Sequence, residues 1–241
     1  MNPFLSIVIP AHNEENRLPD TLEQVFDFLG RQSFTSEVIV VENGSSDRTL
    51  EVAQGFSRLH ENLRVIQSAR GKGAAVRAGM LAARGAYRFM CDADLSMPVE
   101  EIAKFIPPAI KDVDIAIASR EAAGAVRYNE PRYRHLGGRA INFFVQLFIL
   151  PGLNDTQCGF KCFSANAAEA IFSLQTLTGW SFDIELLFIA RRHNFVVREI
   201  PIHWIHHPET KVSALRDAIR MIQDIFLIHA NARRGLYNGT R

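Results

Sequence analysis

Two aspartates, Asp92 and Asp94, stand one residue apart directly after an apolar run that ends at Cys91. Two carboxylates in a turn are suited to hold Mg²⁺ or Mn²⁺, because these hard cations prefer oxygen ligands. A cation held there can neutralise a diphosphate and stabilise charge on a leaving group. The D-x-D spacing is a weak signal when it is taken alone. Asp112-Val113-Asp114 has the same spacing but precedes an apolar run, so we interpret it as a pair of solvated loop acids.

A glycine-rich turn, 70–73 (RGKG), follows another apolar run and opens a helical pattern. Glycines allow the backbone to approach a phosphate, a helix N-terminus offers N–H groups, and Lys72 adds positive charge. The turn is not a Walker A loop, because Ala74 replaces the Ser or Thr. It is also a poor dinucleotide fingerprint, since Val76 stands in the place of the third glycine. An ordinary strand-to-helix turn is the alternative interpretation.

Polar groups follow two further apolar runs, in the segments 10–15 (PAHNEE) and 42–45 (ENGS). Four successive runs therefore end in groups suited to a nucleotide, a phosphate or a metal ion. Each signal is weak, but all four agree on one edge of a sheet. This agreement predicts a nucleotide-diphosphate site.

The elements that must position these groups are short apolar strands that alternate with helical patterns. Strands without polar faces, separated by helices, predict a mostly parallel sheet with helices on both faces, and ligands bind at the carboxyl edge of such sheets. The predicted strands are 5–9, 38–41, 63–66, 87–91, 115–118, 159–163 and 195–200. After residue 119 we expect an Arg-rich loop at 120–134, an apolar helix at 136–150, a helix near 182–193 and an amphipathic helix at about 213–233.

Composition limits the class of protein. The 241 residues include 27 basic and 26 acidic side chains, a net charge of +1 that gives no support for general nucleic-acid binding. The hydrophobic fraction of 47% is typical of a globular chain and excludes a disordered or collagen-like one. We expect one α/β domain at 1–212 with a helical extension of the same domain at 213–241.

The compartment and the membrane relationship follow from other features. Three cysteines are too few for a disulfide framework, which favours a reducing, cytoplasmic compartment. The N-terminus does not resemble a signal peptide. The longest uncharged apolar stretch, 141–150, is about half of the roughly 20 residues that a spanning helix needs.

Seven segments, in this order along the chain, resemble the family 2 glycosyltransferases of GT-A fold. The resemblance runs from Leu5 to about Lys211, and the last two segments favour the dolichyl-phosphate β-glucosyltransferase group with its bacterial polyprenyl-phosphate relatives. The segments are SIVIPAHNEE, VIVVENGSSDRT, RGKGAAVRAGM, DADLS, IASR, DTQCGFKCF and GWSFDIELL.

This resemblance implies the transfer of a sugar, with UDP-glucose as the favoured donor, to a polyprenyl monophosphate with inversion and with Mg²⁺ or Mn²⁺. The metal ligands would be Asp92 and Asp94. The nucleotide contacts would come from Pro10, Ala11, Glu14, Glu42, Gly44, Gly71 and Lys72. The acceptor phosphate or the leaving group would face Arg120, Arg132, Arg134 and Lys211. Asp155 and Gln157 would lie near the sugar or the acceptor, and the catalytic set would be Asp94, Arg120, Asp155 and Lys211.

Several alternatives stay open. His12 and the pair Glu42-Asn43 differ from the usual residues of this family, which leaves GDP-mannose or another donor possible. A hydroxyl acceptor, a nucleotide-binding dehydrogenase and a non-catalytic nucleotide-sugar-binding module are further alternatives. The helices at 136–150 and 213–233 either contact a membrane, on whose cytoplasmic face we expect the protein to be peripheral, or pack on the sheet or a second subunit. The oligomeric state is open.

Overall fold

The structure, a computed structural model, describes residues 2–206 and 214–239. Within them a central sheet contains seven strands: β1 (Leu5–Ala11), β2 (Ser36–Glu42), β3 (Leu63–Gln67), β4 (Tyr87–Cys91), β5 (Ile115–Ser119), β7 (Phe160–Ser164) and β8 (Val197–Pro201). Their order is β3-β2-β1-β4-β7-β5-β8. A separate pair consists of β6 (Val126–Tyr128) and β9 (His203–Ile205).

Helices cover both faces of the sheet. Those of the described residues are α1 (Leu18–Gly30), α2 (Thr49–Leu59), α3 (Lys72–Ala82), α4 (Arg132–Phe148), α5 (Ala165–Leu174), α6 (Phe182–Arg192) and α7 (Ala214–Arg233), with a 3-10 helix at Val99–Phe105. In α1 a proline stands in the first turn, and Leu18, Leu22, Val25 and Leu29 recur at helical spacing on the buried side. None of the helices among the described residues is both long and apolar enough to cross a bilayer.

The prediction of a mostly parallel sheet is confirmed. β1 pairs in parallel with β2 and β4, β2 with β3, and β5 with β8. β7 lies between β4 and β5 and is antiparallel to both. An apolar strand that is covered on both faces has the same sequence pattern in either direction, so the pattern does not reveal this reversal.

Alternation along each strand divides the core between the two faces of the sheet. Leu5, Ile7 and Ile9 of β1 pack on the face with α1, whereas Val8 packs on the face with α3. On the first face Phe89, Phe105 and Phe160 form an edge-to-face cluster with ring centroids 4.5–5.5 Å apart. Both faces are therefore closed, and the strand ends are the places left for a site.

The prediction of one continuous loop at 120–134 is wrong. Three of its residues form β6, which pairs with β9 more than seventy residues later, and α4 begins at Arg132, directly after Pro131. A three-residue strand has too few positions for a recognisable period, and only its partner stabilises it. The predicted domain boundary at residue 212 lies outside the described residues and stays a prediction.

Candidate active site

The carboxyl ends of the parallel strands meet at one edge of the sheet. Ala11 at the end of β1 lies in register with Glu42 at the end of β2, and Glu42 lies in register with Gln67 at the end of β3. The Glu42 carboxylate accepts hydrogen bonds from the Ser45 N–H at 2.5 Å and from Gln67 Nε2 at 3.0 Å. Burial alone would raise the pKa of Glu42, but these hydrogen bonds outweigh burial and lower it. A fixed, charged hydrogen-bond acceptor thus stands at the end of β2, between the ends of β1 and β3.

The loops after β1 and β2 are bound to each other. Asn13 Oδ1 accepts a hydrogen bond from the Ser46 N–H at 2.8 Å, and the Glu14 N–H donates to Thr49 Oγ1 at 2.8 Å. Gly44 has a φ of 80°, and a Cβ there would meet nothing within 4 Å. Its glycine is therefore required by the backbone conformation, and the space beside it is open.

The turn before α3 is packed against the segment 177–179. A Cβ on Gly71 would lie 2.5 Å from the Thr178 carbonyl oxygen, and one on Gly73 would lie 2.8 Å from that of Leu177. The Ala74 N–H donates to the Thr178 carbonyl at 3.3 Å. The expectation of N–H groups open to a phosphate fails at Ala74, because the chain itself covers that group. The two glycines are therefore required by close packing against a distant segment, which no local sequence pattern reveals.

Lys72 carries its ammonium onto Asp92. Lys72 Nζ lies 2.7 Å from Asp92 Oδ1 and 2.9 Å from Oδ2, with the two side chains 18% and 24% exposed. Burial alone would lower the pKa of Lys72, but the carboxylates of Asp92 and Asp183 outweigh it and raise the pKa. Nζ also lies 5.2 Å from the ring centroid of Trp180. The lysine is therefore a positive charge held at the sheet edge.

The turn that carries Asp92 and Asp94 is fixed from several sides. A Cβ on Gly159 would lie 1.8 Å from Asp92 Oδ2, so this position has room only for glycine. The Thr21 hydroxyl of α1 donates to the Ala93 carbonyl at 2.7 Å. Asp94 Oδ1 accepts a hydrogen bond from the Ser96 N–H at 3.0 Å.

These two carboxylates fit a divalent cation that shares its ligands with a substrate. Among the described residues, His, Cys, Asp and Glu form no group of three or more that could enclose a metal ion. Mg²⁺ typically binds through one or two carboxylates and takes its other ligands from phosphates and water. Asp92 and Asp94 supply such a pair, so the donor set suits an ion bound together with a diphosphate.

Arg120, directly after the carboxyl end of β5, forms an ion pair with the buried Asp155. Arg120 Nε and Nη2 donate to Asp155 at 2.6 and 2.9 Å, and the Arg120 N–H donates to the same carboxylate at 3.0 Å. Burial alone would raise the pKa of the fully buried Asp155, but Arg120 outweighs it and lowers the pKa. The guanidinium carbon also lies 5.4 Å from the ring centroid of Trp204.

Several residues outside the predicted set support this pair. Arg127 Nε donates to the Arg120 carbonyl at 3.1 Å, and its guanidinium pairs with Glu121 and Glu130. The Asp155 N–H donates to Glu199 Oε1 at 2.9 Å. No local pattern reveals these contacts, because they join residues that are distant in the chain or connect β6 with the irregular segments beside it.

A buried ion pair connects β7 with α6. The ammonium of Lys161, which is fully buried, donates to Asp183 Oδ1 and to the Cys158 carbonyl, both at 2.5 Å. The sequence signal for this pair is a lysine within an otherwise apolar strand, which the predicted site residues do not include. Asp183 thus acts on two lysines, since it also raises the pKa of Lys72.

The remaining predicted residues lie at the border of the site or outside the described chain. Pro10 lies within β1. The Glu14 carboxylate accepts a hydrogen bond from Arg17 Nε at 2.7 Å. Gln157 Nε2 lies 3.9 Å from the sulfur of Met221 in α7. Arg132 and Arg134 lie in the first turn of α4, and Lys211 lies outside the described residues.

Comparisons with known proteins agree on one family. The sequence model described as "Glycosyl transferase family 2" matches residues 6–172. The chain is 37% identical over 240 residues to a dolichyl-phosphate beta-glucosyltransferase of Drosophila melanogaster, covering 93% of this chain and 74% of that one. It is 32% identical over 249 residues to the protein of that name from Homo sapiens, covering 97% and 77%.

Solved structures agree on the fold. The chain superimposes with a TM-score of 0.69 on glucosyl-3-phosphoglycerate synthase from Mycobacterium tuberculosis in complex with Mn²⁺, UDP and glucosyl-3-phosphoglycerate. The identity is 18%, and the match covers 93% of this chain and 79% of that one. A second structure of that synthase, with Mn²⁺, UDP-glucose and phosphoglyceric acid, gives a TM-score of 0.67 at 18% identity, covering 97% and 80%. At this level of identity the likeness establishes the GT-A-like fold.

Proposed function

Because the chain belongs to glycosyl transferase family 2, we propose that it transfers glucose from UDP-glucose to a polyprenyl monophosphate of the dolichyl type, with inversion at the anomeric carbon. The names of its relatives support the acceptor and the sugar. The complexes of the structural neighbours with UDP-glucose and UDP support the donor. The observation that carries the proposal is that Arg120 donates hydrogen bonds to both carboxylate oxygens of Asp155. A carboxylate held in this way is a poor general base, which favours an acceptor that needs none.

The donor side consists of the groups at the ends of β1 to β4. Glu42, a charged acceptor fixed by Ser45, is placed to receive hydrogen bonds from a nucleoside. Asp92 and Asp94 would hold Mg²⁺ or Mn²⁺ against the diphosphate. Such a cation, when bound, neutralises the diphosphate and stabilises the charge that develops on departing UDP.

The acceptor side favours a phosphate over a hydroxyl. A phosphate monoester has a second pKa of about 6, so at neutral pH it is already an anionic nucleophile and needs no general base. A hydroxyl acceptor would need one. Asp155 is the carboxylate that the family resemblance implies near the sugar or the acceptor, and both of its oxygens accept hydrogen bonds from Arg120. A carboxylate engaged in this way, with its pKa lowered, is a poor base, whereas Arg120 can attract and orient an anion.

A polyprenyl phosphate lies in a bilayer, and one apolar surface faces away from the core. We call it the α4–α7 surface; its exposed members are Phe143, Leu147 and Phe148 of α4 with Ile219, Ile222, Phe226 and Leu227 of α7. His229 Nε2 lies 3.2 Å from the Phe148 carbonyl and so connects the two helices. Arg139 and Arg220 are exposed on the same helices. An apolar surface with arginines suits peripheral binding to the anionic cytoplasmic leaflet.

Nucleotide release tests this function. Purified protein would receive UDP-glucose or GDP-mannose, with or without a short-chain polyprenyl phosphate, in Mg²⁺, Mn²⁺ or EDTA. We expect UDP release that requires both the lipid phosphate and the metal. Asp94→Asn should abolish it, whereas Asp112→Asn, the same change in the exposed D-x-D at the opposite edge of the sheet, should not.

Each other result overturns a defined part of the proposal. Release from GDP-mannose alone would leave the reaction class standing and change the donor. Release that requires an alcohol in place of the lipid phosphate would contradict the acceptor. Nucleotide binding without release in any mixture would favour a non-catalytic binding module.

A further inference from the structure

The carboxylate proposed as a metal ligand already holds a cation that belongs to the protein. Lys72 Nζ lies within hydrogen-bond distance of both oxygens of Asp92, at 2.7 and 2.9 Å. We propose that Lys72 is an internal counter-cation, which occupies Asp92 in the free protein and must leave it before a divalent cation binds. The metal then binds together with the nucleotide rather than before it. This inference rests on the proposed function, which places the metal at Asp92 and Asp94.

Competition follows from how little freedom Asp92 has. Gly159 stands against the carboxylate on one side, since a Cβ there would be 1.8 Å from Oδ2. The carboxylate therefore cannot turn toward Gly159 to offer an oxygen to a second cation. A divalent ion would need the oxygens that the ammonium holds, and two cations on one carboxylate repel each other. Lys72 and the metal therefore compete for the oxygens of Asp92.

Lys72 can leave without any change of the fold. Its backbone is fixed, because the turn 71–73 is packed under residues 177–179. Its ammonium is a point charge on a flexible four-carbon stem, so only side-chain torsions need to change. The ring of Trp180, 5.2 Å from Nζ and half exposed, offers a cation–π contact near the present position.

A nucleotide diphosphate would reverse the balance at Asp92. It brings phosphate oxygens that complete the coordination of the metal, and it brings negative charge that attracts the released ammonium. Metal and nucleotide would therefore each raise the affinity for the other, since such coupling is reciprocal. Without Lys72 much of this coupling should disappear.

Mn²⁺ binding to the full chain, followed by the electron paramagnetic resonance signal of free Mn²⁺, tests the inference without any turnover. We expect Lys72→Met to bind Mn²⁺ alone about tenfold more tightly than the unmodified chain. Addition of UDP should strengthen Mn²⁺ binding to the unmodified chain far more than to Lys72→Met. Lys104→Met is the matched control, because Lys104 is also ion-paired, with Glu101 at 2.7 Å, but lies in the 3-10 helix. It should bind Mn²⁺ as the unmodified chain does.

A second measurement keeps Lys72 in place and so does not depend on the folding of the variant. The chain has two tryptophans, and Trp204→Phe leaves Trp180 as the only one. We expect the fluorescence of Trp180 to change when Mg²⁺ and UDP are added together, but not with Mg²⁺ alone.

Failure of the inference is distinguishable from failure of the proposed function. Equal Mn²⁺ affinities of Lys72→Met and the unmodified chain, with UDP strengthening both alike, would overturn the role of Lys72 and leave the metal site standing. A change of Trp180 fluorescence with Mg²⁺ alone would overturn the binding order. Absence of Mn²⁺ binding in both proteins, even with UDP, would overturn the inference and the proposed metal site together.

Discussion

The Tyr237 hydroxyl donates a hydrogen bond to Glu185 Oε1 at 2.7 Å, so the residues that follow α7 are bound to α6 through a fully buried contact. The same carboxylate accepts hydrogen bonds from the N–H groups of Thr176 and Leu177. Leu177 belongs to the segment 177–179 that covers the turn at Gly71, and Thr176 directly precedes that segment. The C-terminal region and the donor side of the site are thus supported by one carboxylate.

Tyr237→Phe should destabilise the protein by about 1–2 kcal/mol at neutral pH, because it removes a buried hydrogen bond to a charged group. Burial and Glu185 raise the pKa of Tyr237 to about 12. A raised pKa in the folded state means that the stabilisation is complete below pH of about 10 and is lost as the pH rises toward 12. Urea unfolding at several pH values from 7 to 11.5 measures this difference. Tyr128→Phe, at an exposed position, should show none, and a difference for Tyr237→Phe that grows with pH would contradict the prediction.

Asp155→Asn should reduce turnover without abolishing it, whereas Asp94→Ala should abolish it. The amide cannot hold Arg120 by a charged bidentate contact, so the guanidinium loses its orientation while remaining in the site. Leaving a buried charge without its partner costs about 3 kcal/mol, which should lower the melting temperature by roughly 6–12 °C. Thermal unfolding and UDP release would be measured on the same preparations. A variant as inactive as Asp94→Ala but with unchanged melting would make Asp155 an obligatory base and favour a hydroxyl acceptor.

Gly159→Ala should remove Mn²⁺-dependent UDP binding from a folded protein, because its methyl group would displace the Asp92 carboxylate. Calorimetric titration with UDP in Mn²⁺ measures the loss, and circular dichroism checks the fold. Gly55→Ala is the matched control: a Cβ there meets nothing within 4 Å, and alanine in the interior of α2 should stabilise by about 0.5–1 kcal/mol. Unchanged UDP binding by Gly159→Ala would show that Asp92 is free to move or does not ligate the metal.

The double variant Phe143→Glu with Leu147→Glu should lose binding to anionic liposomes. Both side chains are about two-thirds exposed on the α4–α7 surface, so the fold should tolerate the change. Leu59→Glu is the control, because this leucine is 78% exposed but lies on α2. Co-sedimentation with vesicles that contain phosphatidylserine measures binding. Equal binding by the double variant and the control would contradict the membrane orientation.

The sequence predicts the repeating strands, the sheet edge and the distinction between the two D-x-D pairs. Asp94 follows β4 at the carboxyl edge, whereas Asp114 precedes β5 and accepts a hydrogen bond from the Val196 N–H at 2.8 Å at the opposite edge. The resemblance to family 2 glycosyltransferases is confirmed, and the dehydrogenase alternative is wrong. Val76 at the third glycine position is a fully buried core residue.

Features that depend on distant parts of the chain could not be predicted. The pairing of β7 with β4, the pairing of β6 with β9 and the cover over Gly71 and Gly73 each join segments separated by 69 residues or more. The contact of Arg127 in β6 with the Arg120 carbonyl depends on the path of the irregular segment between β5 and β6. Periodicity describes which face of an element is buried, but it does not describe which other element covers that face. The roles given to the individual site residues therefore stay predictions.

The place of β7 in the sheet has a consequence during protein synthesis. β4 ends at Cys91 and pairs with β1 on one side, but its partner on the other side, β7, begins only at Phe160. A ribosome that adds about 5–20 residues per second needs roughly 3–14 s for this interval. During this interval the edge of β4 that will pair with β7 has no partner and is open to edge-to-edge association with other chains. A ribosome-bound chain arrested near residue 150 should therefore recruit chaperones, whereas a chain arrested after residues 160–164 have emerged should not.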